Sequence, residues 1–156
     1  MKKLVLLFAA LLVAGCGEKS SSEGSESLSD ADVERLLKEA VELDSLQYRD
    51  GLHYQVNESE PYSGWAKMMY DSGQVERLVP YKDGRWEGLW TMWHENGQKK
   101  GEVTMKDGKP DGPYTLWHEN GQKKEESTYK DGEEVSAKYW NSKGEEGETA
   151  EEAGDQ

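Results

Sequence analysis

Cysteine is almost absent from this chain. Cys16 is the only cysteine among the 156 residues, so no internal disulfide can form, even in an oxidising compartment. Long apolar runs are also missing. The single continuous one, residues 4–13, is too short to span a bilayer as a mature helix. The sequence therefore predicts neither a disulfide framework nor a mature transmembrane helix.

Positive charge is scarce as well. The chain has 19 Lys and Arg against 32 Asp and Glu, a formal net charge of -13, and loss of Lys2 and Lys3 with a signal peptide would make it about -15. Such a surface repels phosphate backbones, which disfavours nucleic-acid binding. It also argues against docking on anionic lipid headgroups.

The amino terminus nevertheless carries a targeting signal. Lys2 and Lys3 precede the apolar run, which ends in Val13-Ala14-Gly15-Cys16. This pattern resembles the signal and lipobox of bacterial lipoproteins, which implies a signal peptide over 1–15 and acylation of Cys16, with palmitate among the acyl chains. Two or more chains would anchor the protein lastingly in the membrane. By the same resemblance, Gly17 after the cysteine favours the outer membrane. The alternative is an ordinary secretory peptide with a stray cysteine.

The segments next to the signal peptide and at the carboxyl end are polar. Residues 16–29 contain mostly Ser, Glu, Gly and Lys, which predicts a flexible tether. Ser29 with Asp32 three residues later starts a capping helix within 30–45, and its apolar stripe should cover one end of the fold. An opening hairpin is expected around Asp50-Gly51. Residues 146–156 are predicted to be a disordered acidic tail.

An internal repeat dominates the rest. The octapeptide Trp-His-Glu-Asn-Gly-Gln-Lys-Lys occurs at 93–100 and again at 117–124, 24 residues later. Glycines follow the same period after Asn or Asp, and such pairs predict type I′ hairpin turns because both turn residues need positive φ. The glycines of such pairs are Gly84, Gly97, Gly108, Gly121 and Gly132, and Gly73, which follows Ser72, is predicted as a turn glycine by the period. Residues 46–145 are therefore predicted to form a mainly β fold, an elongated single-layer antiparallel meander of about 24-residue hairpins.

The register of the strands tests this prediction. A two-residue turn at Asn96-Gly97 makes Trp93 face Lys100 and Met92 face Gly101. One consistent apolar face results. It carries Trp90, Met92, Val103, Met105, Tyr114 and Leu116, whereas Thr91, Trp93, Lys100, Glu102, Thr115 and Trp117 lie on the other face.

These residues resemble a known repeat. The pattern Gly-x-(Trp/Tyr)-x-x-Trp-x-x-Asn-Gly-Gln, followed by Tyr or Met and then Lys-Asp-Gly, is similar to the bacterial variant of the MORN repeat. Residues 61–64, Pro-Tyr-Ser-Gly, resemble the segment that opens such arrays. The resemblance covers about 46–145 and extends to proteins of the YwqK-type antitoxin family. It implies a sheet of repeated hairpins and suggests an antitoxin role.

No catalytic constellation or cofactor motif is present in the sequence. His94-Glu95 and His118-Glu119 suggest a metal site, but equivalent residues of successive repeats lie about 10 Å apart, too far to share one ion. We therefore expect no enzyme activity, no cofactor and no metal, and we interpret these histidines as residues flanking a turn. The carboxylate-rich stretches are interpreted as a solvated face.

The candidate interaction surface is the second sheet face. Trp93, Trp117 and Trp140 recur there one repeat apart, with Met69 at the equivalent earlier position. Exposed, aligned tryptophans suit contact with a protein or glycan. Alternatively, these tryptophans stack with one another and with lysine stems, and so stiffen the sheet.

These patterns predict a non-catalytic, lipid-anchored envelope protein whose repeats are a scaffold for binding another protein, with the membrane reached through acylated Cys16. An antitoxin or immunity-type inhibitor with an acidic surface against a basic toxin is the first alternative. A module that binds cell-wall glycans is the second.

Overall fold

The computed structural model describes residues 27–147 and 149–151. The predicted signal peptide, Cys16 and most of the tether lie outside this range. Within it the fold is mostly strand with one helix, so the predicted mainly β fold is confirmed. The helix is α1 (Asp30–Glu39), and the strands are β1 (Val41–Glu42), β2 (Gln47–Arg49), β3 (Leu52–Tyr54), β4 (Gly64–Met69), β5 (Val75–Lys82), β6 (Arg85–Trp86), β7 (Gly88–Trp93), β8 (Lys99–Lys106), β9 (Lys109–Trp117), β10 (Lys123–Lys130), β11 (Glu133–Trp140) and β12 (Glu146–Gly147).

The main sheet follows the chain. Its strand order is β1-β4-β5-β7-β8-β9-β10-β11-β12, with β6 beside β5. All pairs are antiparallel except that of β1 with β4, which is parallel and aligns Val41 with Ala66. The last strand, β12, lies in the predicted acidic tail and pairs with the end of β11. The meander of hairpins is therefore closed at each end by a two-residue strand.

The hairpin predicted around Asp50-Gly51 forms a separate sheet of β2 and β3. It docks on the first repeat through backbone bonds. His53 N donates to Gly84 O at 2.9 Å, and Tyr62 N donates to His53 O at 2.8 Å. The hairpin thus sits beside the Asp83-Gly84 turn and does not extend the main sheet.

The Asp-Gly turns have the predicted geometry. Asp107 and Gly108 have φ of 50° and 82°, and the flanking residues Lys106 and Lys109 pair directly. Both turn residues are left-handed, as a type I′ turn requires. The other Asp-Gly turns repeat this geometry at Asp50-Gly51, Asp83-Gly84 and Asp131-Gly132.

The type I′ prediction is wrong for the Asn-Gly turns. Gly97 has φ of 82°, but Asn96 is not among the described non-glycine residues with positive φ. His94 N donates to Gln98 O, and Gly97 N donates to His94 O, which makes a three-residue loop with glycine in the last position. The Asn96 side chain favours this geometry, because its Oδ1 accepts a hydrogen bond from Gln98 N at 2.9 Å.

The predicted assignment of side chains to the two sheet faces is still correct, because a bulge compensates for the longer loop. The longer loop aligns Trp93 with Lys99 instead of Lys100, but the register shifts between Met92 and Trp93. Beyond the shift, Met92 faces Gly101 and Trp90 faces Val103, as predicted. The extra loop residue and the extra bulge residue cancel, so the alternation of side chains is unchanged along the rest of the hairpin.

Helix α1 begins at the predicted cap. Asp32 N donates to Ser29 Oγ at 3.2 Å, and the Ser29 hydroxyl donates to the Asp32 carboxylate at 2.6 Å. That hydroxyl bond is the main reason why the pKa of Asp32 is lowered. At the other end, Lys67 Nζ donates to Leu37 O at 3.0 Å and so satisfies a carbonyl that the helix leaves free.

The helix packs on one face of the sheet, here called the helix face, which carries Trp65, Leu78 and Trp93. Leu36, 3% exposed, and Ala40 form a buried cluster with Leu78 and Trp93. The opposite face, the far face, carries Ala66, Val79 and Tyr81. The segment between α1 and β4 covers it with Val41, Leu43, Leu46 and Tyr62. The first repeat is therefore enclosed on both sides.

The docked hairpin leaves less space around Gly84 than around Gly108, although the two glycines occupy equivalent turn positions. A Cβ at Gly84 would lie 2.8 Å from Leu52 Cβ and 3.1 Å from the His53 backbone, whereas a Cβ at Gly108 would meet nothing within 4 Å. Gly108→Ala should cost about 1–2 kcal/mol from the left-handed conformation alone. Gly84→Ala should cost a further ~1–3 kcal/mol from the clash.

Urea unfolding of the two variants measures this difference. Equal destabilisation would show that the hairpin does not press on the Asp83-Gly84 turn.

Candidate functional site

Trp93, the first residue of the duplicated octapeptide, is not an exposed contact residue. It is 8% exposed and packs in the cluster beneath α1 with Leu36 and Leu78. The prediction of an exposed Trp93 is wrong, because the cover of α1 extends from the first repeat onto Trp93 of the second. Met69, at the equivalent earlier position, is 37% exposed at the end of β4.

Trp117 and Trp140 lie on the same face without the helix. Both are half-buried, and neither belongs to a buried cluster of the described residues. Lys99 Nζ lies 5.9 Å from the Trp117 ring centroid, and Lys123 Nζ lies 5.4 Å from that of Trp140. These are cation–π distances, so lysine stacking on tryptophan is present at both positions.

The sequence of the repeats explains why α1 packs on only the first part of the helix face. Glu102 and Glu126 occupy the position of Leu78 in the next two repeats, and Lys99 and Lys123 occupy that of Val75. Lys99 pairs with Glu102 at 2.7 Å, and Lys123 pairs with Glu126. The helix face therefore changes from an apolar surface on which α1 packs to a surface of tryptophan, lysine and glutamate. We call its uncovered part, made of Trp117, Lys123, Glu126 and Trp140, the open face.

The histidines of the octapeptide join successive repeats. His94 Nε2 lies 2.9 Å from Trp117 O, and His118 Nε2 lies 2.9 Å from Trp140 O. A carbonyl can only accept, so each Nε2 carries the proton in this contact. Tyr70 occupies the same position in the first repeat and donates its hydroxyl to Trp93 O at 2.9 Å. The two histidines were predicted only to flank a turn, and the partners of all three residues lie 22 or 23 residues away.

The asparagines form a second link at the same edge. While Asn96 Oδ1 accepts from its own turn, Asn96 Nδ2 donates to Glu119 O in the next turn at 3.0 Å. Asn120 repeats the arrangement, with Gln122 N as donor and Ser142 O as acceptor. One amide side chain thus shapes its own turn and holds the next. We use the name Asn-Gly ladder for all the contacts between repeats at this edge, which are made by Tyr70, His94, Asn96, His118 and Asn120.

The opposite edge has a ladder of its own, made mainly by the backbone. Gly108 N donates to Trp86 O at 3.0 Å, and Gly132 N donates to Pro110 O at 2.8 Å. The aspartate of each turn is also bound. Asp83 N donates to Ser63 Oγ and Asp107 N to the Glu87 carboxylate, each at 2.8 Å. Every Asp-Gly turn of the main sheet is therefore fixed to the segment one repeat earlier.

Contacts outside the open face shift the pKa values of Asp111, Lys130 and Tyr114. The hydrogen bond from Lys130 lowers the pKa of Asp111, and the same bond raises that of Lys130; their charged atoms are 2.9 Å apart. On the far face, burial raises the pKa of Tyr114 to about 12. Its ring packs edge-on against Tyr129 at 5.7 Å. All three shifts follow from structural contacts within and between repeats.

Two kinds of site are not found among the described residues. No helix there has the length and apolar character needed to cross a bilayer. Nor does any group of three or more His, Cys, Asp or Glu side chains in that part of the chain come together as metal ligands.

The two environments of tryptophan predict different costs of truncation. Trp93→Ala should lower the free energy of unfolding by about 3–5 kcal/mol, because it empties a site beneath α1. Trp117→Ala should cost only about 1 kcal/mol, since it removes a half-buried ring and one cation–π contact. Chemical denaturation compares the two variants, and equal losses would contradict the different packing.

The Asn-Gly ladder predicts a cost for removing a single hydroxyl. Tyr70→Phe leaves Trp93 O without its donor and should lower stability by about 1 kcal/mol, and His94→Phe should act in the same way on Trp117 O. Tyr54→Phe is the matched control, because no hydrogen bond of the Tyr54 hydroxyl is present in the described structure and its ring contacts Arg49. Thermal unfolding that is the same for Tyr70→Phe and Tyr54→Phe would remove the ladder's energetic role.

Comparison with known families agrees with this geometry. The MORN repeat variant family matches residues 86–107 and 110–131, which span β6 to β8 and β9 to the Asp131 turn. No curated protein and no solved structure matches the chain significantly. These two segments therefore match the MORN repeat variant, and such repeats suggest a scaffold for protein interaction.

Proposed function

We propose that this protein is a non-catalytic, lipid-anchored protein of the cell envelope, whose MORN repeats form a scaffold that binds another protein through the open face. The observation that carries the proposal is the incomplete cover of the helix face. α1 occupies this face in the first repeat, and the described residues place no comparable cluster over Trp117 and Trp140.

The packing of α1 indicates what kind of segment fits such a face. The helix presents Leu36 and Ala40 to Leu78 and Trp93. On the open face, Glu126 replaces leucine and Lys123 replaces valine, so a partner needs polar groups beside its apolar contact. Half-buried tryptophans offer large contact areas at low entropic cost. An amphipathic segment with basic residues suits this surface of a chain whose net charge is -13.

The ladders support a scaffold role. Each turn of the main sheet is hydrogen-bonded to the next repeat at one edge or to the preceding repeat at the other. A sheet held in this way presents Trp117 and Trp140 at a constant spacing. Preorganised contacts lower the entropic cost of binding.

The membrane part of the proposal depends on the lipoprotein-like sequence. Lys2, Lys3, the apolar run and the Ala-Gly-Cys ending at Cys16 support an acylated anchor. Gly17 supports the outer membrane as the location. The polar tether would hold the repeats away from the lipid surface.

Site-specific crosslinking in intact cells tests the proposal. A photoreactive residue replaces Glu126, on the open face, or its neighbour Glu125, which faces the other way. We expect the Glu126 position to capture one discrete protein, and the Glu125 position to capture it weakly or not at all. Capture should fall at least about tenfold when Trp117 and Trp140 are both changed to Ala, as expected for the loss of two contact residues.

A Cys16→Ser variant tests the anchor in the same cells. It should leave the membrane fraction and lose the captured protein. Equal capture from both faces, or capture that does not depend on Trp117 and Trp140, would contradict the open face as the binding surface. Retention of Cys16→Ser in the membrane would contradict the acyl anchor.

The acidic composition favours one more specific version, an antitoxin or immunity-type inhibitor. A net charge of -13 would attract a basic toxin and speed their association. This version requires the captured protein to be basic and harmful when it is produced alone. A captured protein that is harmless alone would exclude it and leave the scaffold role intact.

A further inference from the structure

A cleft of about 450 Å³ lies at the Asp-Gly edge of the sheet, between the β2–β3 hairpin and the Asp107-Gly108 turn. It exists because the hairpin covers only the first of the equivalent turns. Gly84 is in contact with Leu52 and His53, whereas the space above Gly108 is open. The volume is in the range of small-molecule sites.

Aromatic rings line one side of this cleft. Tyr48 and His53 have ring centroids 5.0 Å apart, and His53 lies 6.1 Å from Trp86. Trp86 Nε1 donates to the Tyr81 hydroxyl at 2.9 Å, which fixes the indole in place. Tyr48 is 70% exposed, so its ring is accessible to a ligand. The rings offer flat apolar surfaces that are already in position.

Positive charge accompanies the rings. Arg85 and Lys109 line the cleft, and neither forms an ion pair within the described residues, although the protein is strongly acidic. They occupy equivalent positions of successive repeats, but the next equivalent residue is Glu133. The pair of cations therefore occurs only where the cleft is. Asp107 adds one carboxylate that can accept hydrogen bonds from hydroxyl groups.

We infer that this cleft binds a sugar that carries a carboxylate. Tyr48 and Trp86 would contact the apolar face of the sugar ring, Asp107 would accept from its hydroxyls, and Arg85 and Lys109 would bind the carboxylate. A peptide backbone fits less well. Gly108 N is already bound to Trp86 O, and Arg85 and Lys109 are paired across their own turns. This site is separate from the open face, so it adds a ligand to the proposed scaffold role.

Two sugars that differ by one lactyl group, which carries the carboxylate, test the inference. N-acetylmuramic acid is N-acetylglucosamine with an added lactyl group, and tryptophan fluorescence or calorimetry measures the binding of each to the full chain in detergent. We expect millimolar or tighter binding of N-acetylmuramic acid and about tenfold weaker binding of N-acetylglucosamine, since the latter lacks the charge-assisted contact. Arg85→Gln or Lys109→Gln should remove this difference.

Control variants separate the cleft from a general charge effect. Lys82→Gln removes a cation across the same turn from Arg85 but outside the cleft lining, and it should leave both affinities unchanged. Tyr48→Ala should weaken both sugars, and thermal unfolding verifies that each variant is folded. Equal binding of the two sugars, no binding at millimolar concentration, or tighter binding of a short peptide with a free carboxyl terminus would overturn the inference. None of these outcomes bears on partner capture at the open face.

Discussion

Hydrogen bonds between repeats are the constraint on which this structure depends. A hairpin of about 24 residues has too little apolar surface to be stable alone, so each repeat must be held by its neighbours. His94 and Asn96 do this at one edge by binding carbonyls of the next repeat, and Gly108 N does it at the other edge by binding Trp86 O. The side chains that look most like a catalytic or metal motif are thus used to align the strands.

The same repetition also shows where the repeats differ. Leu78 gives way to Glu102 and then to Glu126 on the helix face, and this change decides how far α1 extends its cover. The first repeat, together with Trp93 of the second, forms a closed core beneath α1. Trp117 and Trp140 lie among lysine and glutamate side chains instead, so this part of the face is not covered by an apolar cluster of the described residues. A covered end and an uncovered face are built from one repeated pattern.

The two surfaces of interest lie at different places on the sheet. The open face is near the Asn-Gly turns, whereas the aromatic cleft is at the Asp-Gly edge beside the docked hairpin. Their charge also differs. Lys123 of the open face has Glu126 as its partner, but the two cations of the cleft have no ion-pair partner within the described part of the chain. The proposed protein partner and the proposed anionic ligand therefore have separate binding surfaces.

The sequence by itself determined the repeat period, the strand alternation, the Asp-Gly turns and the Ser29 cap of α1, because each depends on torsion angles and contacts within a few residues. Only the tertiary structure decided that Trp93 is buried, that Asn96 serves two turns, and that the hairpin leaves a cleft beside Gly108. These features depend on contacts between residues more than 20 positions apart. The spacing of residue types does not reveal which repeat a helix or hairpin will cover, since that choice is made by packing.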